Sequence, residues 1–231
     1  MGVLRGERTA PQNDIVGMGK FGGERLVMAG NKEIRAVLFD VGGVLVQLNG
    51  VPTMMRWLGE GVSTEEMWRM WLTSPVVRAF ESGRMAAEEF ADQIIREMNL
   101  PVGREELMTE FVQWTQGLYP GALELVDSVP RQYVRATLCN TNALHWPRLM
   151  TDLRLEHAFD RHFASHLTGR LKPDEETFTH VVESLECEPG EIVFVDDNLL
   201  NVEGAKRARI RAFQVRGVEE ARQALMVVGV L

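Results

Sequence analysis

Short apolar runs of strand length, each followed by polar or turn residues, recur along most of the chain. The four clearest runs are residues 34–40, 134–140, 191–197 and 211–215, and residues 161–165 form a weaker fifth. A run that is apolar at successive positions, rather than at alternate ones, is typical of a strand buried on both faces of a parallel sheet. The pattern therefore predicts five buried strands.

Helical patterns separate these runs, at residues 121–129, 142–153, 174–185 and 200–208. Alternation of strands and helices indicates a parallel sheet with helices on both faces. Because crossovers between parallel strands are right-handed, the sequence predicts an α/β fold with a doubly wound, Rossmann-like parallel sheet.

Residues 49–116 follow a different pattern, with no strand signal. Four of the five tryptophans lie here: Trp57, Trp68, Trp71 and Trp114. Ser63 and Glu66 form a capping-box pattern, and Ser74-Pro75 is typical of a helix start. Residues 86–98 and 104–114 have amphipathic helical spacing.

We therefore predict a helical cap of four or five helices at residues 49–116, inserted after the first strand. Its Trp and Met residues are interpreted as its core, and the whole insert as a lid over a site at the end of that strand. The core domain is predicted at residues 32–48 and 117–231. The sequence gives no reason to prefer a monomer over a homodimer.

Residues 1–31 are rich in glycine and show neither helical nor strand periodicity. They lack the apolar stretch of a secretory signal, and Glu7, Asp14 and Glu24 argue against a transit peptide. We predict a poorly ordered N-terminal extension, with Met18 and Met28 as alternative starts.

Composition narrows the classes of function. The chain has 231 residues, 45% of them hydrophobic, and a net charge of −8. A surface of this sign repels nucleic acid, although a metal and a few cations still allow a small anionic substrate. The longest apolar runs are far shorter than the roughly 20 residues that span a membrane. Cys139 and Cys187 have no metal-type spacing, which favours a reducing, cytoplasmic location.

Candidate chemistry gathers at the predicted strand ends. Asp40 ends the first strand, Asp196 and Asp197 end the strand at 191–197, and Lys172 precedes a helix. Because ligands of open α/β sheets bind beyond the carboxyl ends of the strands, Asp40, Asp196 and Asp197 should lie at one edge. Adjacent carboxylates there are costly unless a cation neutralises them, and oxygen ligands of this kind suit Mg²⁺.

The segments FDVGGVLV, LCNTN, GRLKP and VFVDDNLLNVEGA resemble, in order and spacing, the four motifs of the haloacid dehalogenase-like hydrolases. The resemblance extends over residues 34–214. It is strongest to the branch of the family that contains sugar-phosphate phosphatases, and the segment FESGRMAAEEF in the cap also resembles that branch. It implies a Mg²⁺-dependent phosphatase for a small phosphorylated metabolite, with a sugar phosphate as one candidate.

The resemblance also implies roles for individual residues. Asp40 is expected to be the nucleophile that forms an aspartyl-phosphate and to bind Mg²⁺. The backbone carbonyl of Gly42 and the carboxylates of Asp196 and Asp197 are expected to complete the metal site. Lys172 is expected to steady Asp40 and the phosphate. The positions of Cys139 and Asn140 are those expected to hold the phosphate.

Two residues depart from the family pattern. Gly42 occupies the place where most phosphatases of the family carry a second Asp, which protonates the leaving group. Cys139 stands where the family has Ser or Thr, and a thiol is a weak hydrogen-bond donor. Thr141, two residues later, is a candidate to compensate for the thiol. His145 or a cap residue is a candidate for the replacement acid, with packing as the more ordinary role of His145.

Three other functions remain open at this stage. A metal-independent dehalogenase-type hydrolase is compatible with Gly42 but not with the acidic pair, and a weakly active or non-catalytic binding protein is compatible with both departures. A phosphomutase would need the missing acid. Substrate specificity is expected to come from the cap, where the candidates are Arg56, Trp57, Trp68 and Arg78.

Overall fold

The computed structural model describes residues 33–231, and the predicted extension at residues 1–31 lies outside the described part. Its strands are β1 (Ala36–Phe39), β2 (Val46–Leu48), β3 (Thr115–Leu118), β4 (Val134–Cys139), β5 (Arg161–Ala164), β6 (Ile192–Asp196) and β7 (Arg211–Gln214). Five of them form one sheet in the order β5-β4-β1-β6-β7, with every neighbouring pair parallel. All five predicted strands are present, each slightly shorter than its apolar run.

The helices are α1 (Gly50–Leu58), α2 (Thr64–Thr73), α3 (Pro75–Glu81), α4 (Ala87–Glu97), α5 (Arg104–Val112), α6 (Ala122–Ser128), α7 (Ser165–Thr168), α8 (Glu175–Leu185), α9 (Leu199–Arg207) and α10 (Gly217–Val227). Short 3₁₀ turns lie at Leu155–His157 and Pro189–Glu191. The predicted alternation of strand and helix is confirmed.

Alternate residues of the central strands point to opposite faces of the sheet, as strand geometry requires. Val37 and Phe39 join a core with α6 and α10, whereas Ala36 and Leu38 join a core with α8 and α9. Burial on both faces explains why the strands are apolar at every position. The sheet is therefore covered on both sides, as in a doubly wound fold.

The helix predicted at residues 142–153 forms only in its second half. The Asn142 side chain accepts hydrogen bonds from the backbone N–H groups of Leu144 and His145, which stabilises a turn there. The segment ends in a π-helical turn at Arg148–Asp152, where Leu153 N donates to Arg148 O at 3.0 Å.

Five helices, α1 to α5, lie between β2 and β3 and pack around their own apolar core, which includes Trp57, Trp71, Phe80, Phe90 and Phe111. The serine side chains predicted as helix caps accept from Glu66 N and Val77 N, each at 3.1 Å. The expectation that residues 49–116 contain no strand is wrong at the C-terminal end of this range. β3 starts at Thr115 and pairs antiparallel with β2, so the chain leaves and re-enters the core through one ribbon.

Within residues 33–231, no helix combines the length and the apolar character that crossing a lipid bilayer requires.

Gly204 in α9 packs directly on the loop that carries Lys172. A Cβ atom at this position would lie 2.8 Å from Pro173 O and 2.9 Å from Phe178 Cε2. Alanine normally stabilises a helix relative to glycine. Here we expect Gly204→Ala to lower the free energy of unfolding by about 1–3 kcal/mol, because the backbone must shift. Urea denaturation measures this, with Glu203→Ala on the exposed side of α9 as the control.

Candidate active site

Three buried charged groups meet at the carboxyl edge of the sheet. Lys172 Nζ lies 2.9 Å from Asp40 Oδ1 and 2.6 Å from Asp196 Oδ2. β1 and β6 are paired neighbours, with Phe39 opposite Val195, so Asp40 and Asp196 leave the sheet side by side. Lys172 lies in the loop before α8, and its side chain reaches both carboxylates. The structure thus brings together three of the residues that the sequence singled out.

Asp196 is fully buried, and both of its oxygens are held. Asn201 Nδ2 lies 3.1 Å from each oxygen, and Asn198 N donates to Oδ1 at 2.8 Å. These donors come from the start of α9, where backbone N–H groups lack partners within the helix. Asp196 is therefore fixed in one orientation and ties β6, α9 and Lys172 together.

The two contacts that fix the Asp40 side chain both involve its Oδ1 oxygen. Val41 N donates to Asp40 Oδ1 at 2.7 Å, and Lys172 approaches the same atom. These two contacts set the side-chain orientation while Asp40 lines the large cavity at this sheet edge. The carboxylate is thus both oriented and accessible from the cavity.

Asp40, Asp196 and Asp197 form an acidic cluster whose ligand oxygens all lie within 4.8 Å of one another. Burial raises the pKa of Asp40 well above its usual range, and the charge of Asp196 raises it further. Burial and Asp196 also raise the pKa of Asp197, to about 6. Three carboxylates face the single ammonium of Lys172, so a divalent cation with a preference for oxygen ligands fits this cluster.

Lys172 carries its charge in a buried place because of its acidic neighbours. Burial alone would lower the pKa of Lys172, but Asp196 and Asp40 together raise it above its usual range. Its backbone is held by Asn140: Lys172 N donates to Asn140 Oδ1, and Asn140 Nδ2 donates to Lys172 O, both at 2.9 Å. The Asn140 side chain therefore positions the lysine loop, a different task from the predicted contact with phosphate.

Cys139 ends β4 next to Asp40 and is almost completely buried. Burial, followed by the charge of Asp40, raises the pKa of its thiol, so the group stays protonated. Its Sγ lies 3.5 Å from Asn140 O, the only acceptor found for it among residues 33–231. A neutral thiol in this place is a weak donor toward the cavity.

His145 lines the cavity but has no ring nitrogen to offer. Its Nε2 lies 2.7 Å from Phe111 O, and its Nδ1 lies 3.2 Å from Asn142 Nδ2. The carbonyl only accepts and the amide only donates, so the ring is neutral, with its proton on Nε2. Burial lowers the pKa of His145 as well. The structure thus places His145 in the packing role and argues against it as a replacement acid.

The two glycines after Asp40 meet different surroundings. A Cβ atom on Gly42 would lie 2.8 Å from Leu48 Cδ1, at the end of a half-exposed side chain. A Cβ atom on Gly43 would lie 2.1 Å from Asp197 Oδ2, and Gly43 has a φ of +71°. Gly43 therefore leaves the space that the Asp197 carboxylate occupies.

A cavity of about 1140 Å³ opens over the acidic cluster and reaches into the helical insert. Of the predicted specificity residues, only Trp68 lines it. Arg56 instead pairs with Glu110 at 3.4 Å, Trp57 is buried in the core of the insert, and Arg78 pairs with Asp174 at 2.5 Å. Those three expectations were wrong because position in the sequence does not show which face of a helix looks at the site.

Sequence reasoning missed three residues of this region. Asn201 lies five residues after Asp196, a spacing that an N-terminal helical turn brings back onto the strand end. Glu81 lies in the segment FESG and lines the cavity. Ser165 follows β5, and its hydroxyl contacts Thr141 N at 2.9 Å. Only Asn201 had a usable signal, its spacing from the acidic pair.

Gly43→Ala should weaken divalent-metal binding, because its methyl group would displace the Asp197 carboxylate. We expect Mg²⁺ affinity to fall by about 10- to 100-fold, as when a supporting residue of a metal site is lost. Gly59→Ala is the matched control, since Gly59 has a similar φ of +77° and its methyl group would meet no atom within 4 Å. Calorimetric titration with MgCl₂ measures both, and equal affinities in the two variants would contradict the geometry.

Comparison with known proteins agrees with the fold. A sesquiterpene phosphatase of Aspergillus oryzae is 29% identical over 74% of this chain and 85% of its own. A phosphatase of Mycobacterium tuberculosis is 27% identical over 79% and 87%. The structure of a haloacid dehalogenase family enzyme from Bacteroides thetaiotaomicron, in complex with magnesium and inorganic phosphate, superposes with a TM-score of 0.64 at 23% identity. It covers 79% of this chain and 94% of that one.

The family model for haloacid dehalogenase-like hydrolases matches residues 34–209, which include the whole acidic cluster, Lys172 and the helical insert. The chain therefore belongs to the haloacid dehalogenase-like hydrolases and is a phosphatase-type hydrolase of that family.

Proposed function

We propose that this protein is a Mg²⁺-dependent phosphatase that hydrolyses a small phosphorylated metabolite through an aspartyl-phosphate on Asp40. The observation that carries the proposal is the position of Asp40, oriented by Lys172 and Val41 N, beside an acidic cluster and open to a cavity. Helices α1 to α5 act as the cap that closes this cavity against bulk water.

Asp40, Asp197 and the Gly42 carbonyl would hold Mg²⁺, with Asp196 contributing directly or through water. The cation supplies neutralisation of charge on the transferring phosphoryl group. Asp196 is already engaged by Lys172 and Asn201, which suits it to fix the position of the site more than to bind substrate. The binding of magnesium by the structurally similar Bacteroides enzyme supports this assignment.

The side chains of this chain perform the remaining tasks by position. An oxygen of Asp40 attacks phosphorus, the bond from phosphorus to the leaving oxygen breaks, and water later releases phosphate from Asp40. Splitting hydrolysis in this way gives two easier steps. Lys172 neutralises charge next to Asp40 and the phosphoryl oxygens, and positioning of this kind accounts for most phosphoryl-transfer catalysis.

The two departures from the family pattern shape the expected rate. The thiol of Cys139 gives the phosphate little hydrogen bonding, so phosphate binding rests more on Lys172 and the metal site. Gly42 brings no acid, and general acid–base help is typically worth about 10²–10⁴-fold. A dehalogenase-type reaction needs no acid, but it leaves Asp196 and Asp197 without a task, so the acidic cluster favours phosphate chemistry.

The lining of the cavity favours a substrate with an apolar organic group over a sugar phosphate. On the side of the insert it presents mainly apolar side chains: Val51, Met54, Met67, Trp68, Trp71, Leu72 and Phe111. A sugar would leave hydroxyl groups without partners wherever they face these apolar side chains, and each unsatisfied group is costly. The polar residues of α2 and its N-terminal end that also line the cavity are exposed to solvent: Ser63, Glu65, Glu66, Arg69 and Thr73. The sesquiterpene phosphatase among the relatives supports an apolar substrate.

Asp40→Asn should abolish turnover of every phosphate monoester, because the amide cannot act as the nucleophile. The assay is release of inorganic phosphate from an aryl phosphate at saturating Mg²⁺, with circular dichroism to verify folding. EDTA should remove the activity of the unchanged protein, and added Mg²⁺ should restore it. Turnover that survives either treatment would exclude the proposed mechanism.

A substrate panel tests the apolar lining. We expect kcat/KM for a prenyl phosphate to exceed that for glucose 1-phosphate by at least about 10-fold, the gain from burying a few methylene groups. Trp68→Ala should reduce this preference, whereas Met226→Ala, an exposed apolar residue on α10 away from the cavity, should not. A preference for glucose 1-phosphate would restore the sugar-phosphate alternative.

A further inference from the structure

Glu81 is the last residue of α3 in the insert, yet it lines the same cavity as Asp40 and Lys172. Gly42 leaves the reaction without the acid that the family resemblance leads one to expect beside the nucleophile. The insert thus brings a residue with a carboxyl group to the cavity that lacks this acid.

The backbone of Glu81 is fixed to the core domain. Ser165 Oγ lies 2.6 Å from Glu81 O and accepts from Thr141 N at 2.9 Å, so a single hydroxyl links α3 to the residue next to Asn140. One turn earlier in α3, Arg78 pairs with Asp174, two residues after Lys172. Both contacts hold α3 in register with the loops that form the phosphate site.

The surroundings of the Glu81 side chain suit a group that exchanges protons. It is half-buried, and the side chain of Trp71 interacts with it. The charged and titratable groups that act on it are Lys172, Arg78 and Cys139. Burial raises its pKa to about 7, although Trp71 and the two cations oppose this rise. A general acid or base works best with a pKa near the working pH.

The other titratable groups that line the cavity are less suited to this task. His145 has both nitrogens engaged, and Cys139 holds its proton too firmly. Glu65 and Glu66 are exposed in the first turn of α2, and Glu66 pairs with Arg69 at 3.4 Å.

We propose that Glu81, supplied by the insert, is the general acid and base that takes the place of the side chain missing at Gly42. The assignment rests on the phosphatase function proposed above. In the first half-reaction, an oxygen of Asp40 bonds to phosphorus, the ester bond breaks, and the leaving oxygen takes the proton of Glu81 to become an alcohol.

In the second half-reaction, ionised Glu81 takes a proton from water as the water oxygen bonds to phosphorus. The bond from phosphorus to Asp40 breaks, which restores the Asp40 carboxylate and releases inorganic phosphate. Glu81 ends protonated, ready for the next cycle, so protons and electron pairs balance without another reactant.

The test compares two leaving groups in Glu81→Gln, with Glu97→Gln on the exposed face of α4 as the control. An alkyl phosphate needs a proton on its leaving oxygen, whereas a nitrophenyl phosphate does not. We expect kcat/KM for the alkyl phosphate to fall at least about 100-fold in Glu81→Gln. The fall for the nitrophenyl ester should be less than about 10-fold, and Glu97→Gln should match the unchanged protein.

A second variant and a pH profile distinguish an effect of misfolding from an effect of losing the general acid. Glu81→Asp retains a carboxyl group and should recover part of the alkyl phosphatase activity. The unchanged protein should lose alkyl kcat/KM as pH rises above neutral, and the glutamine variant should lack this limb. If Glu81→Gln does not fold, the aspartate variant and the pH profile of the unchanged protein decide the question.

The possible outcomes separate the two proposals. Two results for Glu81→Gln would overturn the role of Glu81 while leaving the phosphatase function intact, provided that activity still depends on Asp40. One is an equal loss of kcat/KM on the alkyl and nitrophenyl esters, and the other is no loss on either ester. Absence of turnover on any phosphate by the unchanged protein would overturn the phosphatase function and this assignment with it.

Discussion

The contact of Lys172 with Asp40 and Asp196 is the interaction on which the rest of the site depends. It joins the ends of β1 and β6 to the loop before α8, and it brings one positive charge among three buried or half-buried carboxylates. Removing one member of such a group leaves the others charged without a partner, which is costly in a buried place. The remaining excess of negative charge is what makes the cluster suitable for a divalent cation.

The residues around these charged groups fix the positions of the charges. Asn201 and Asn198 N hold Asp196, Asn140 holds the Lys172 loop by two hydrogen bonds, and Gly43 leaves room for Asp197. None of these residues needs to touch a substrate to matter for catalysis. A phosphoryl transfer that depends on position and charge is sensitive to any of them.

The helical insert contributes side chains to the cavity in addition to covering it. Its five helices pack around an aromatic core of their own, while Ser165 and Asp174 attach α3 to the loops of the phosphate site. The apolar side chains of α1 and α2 and the carboxyl group of Glu81 then face the same cavity as Asp40. Under the proposals made above, substrate choice and proton transfer both come from the insert, and nucleophile and metal both come from the core.

The sequence by itself determined a parallel sheet of five buried strands that alternate with helices, and the meeting of Asp40, Asp196 and Asp197 at one edge of it, whereas the place of Lys172 came from the resemblance to a known family. Apolar runs reveal buried parallel strands, and their carboxyl ends meet at one edge, so residues at those ends can be placed together without coordinates. The ribbon of β2 and β3, the engaged nitrogens of His145 and the true lining of the cavity were decided only in the tertiary structure. Arg56, Trp57 and Arg78 looked like site residues, while Glu81 did not, because which side of a short helix faces a cavity depends on packing between segments far apart in the chain.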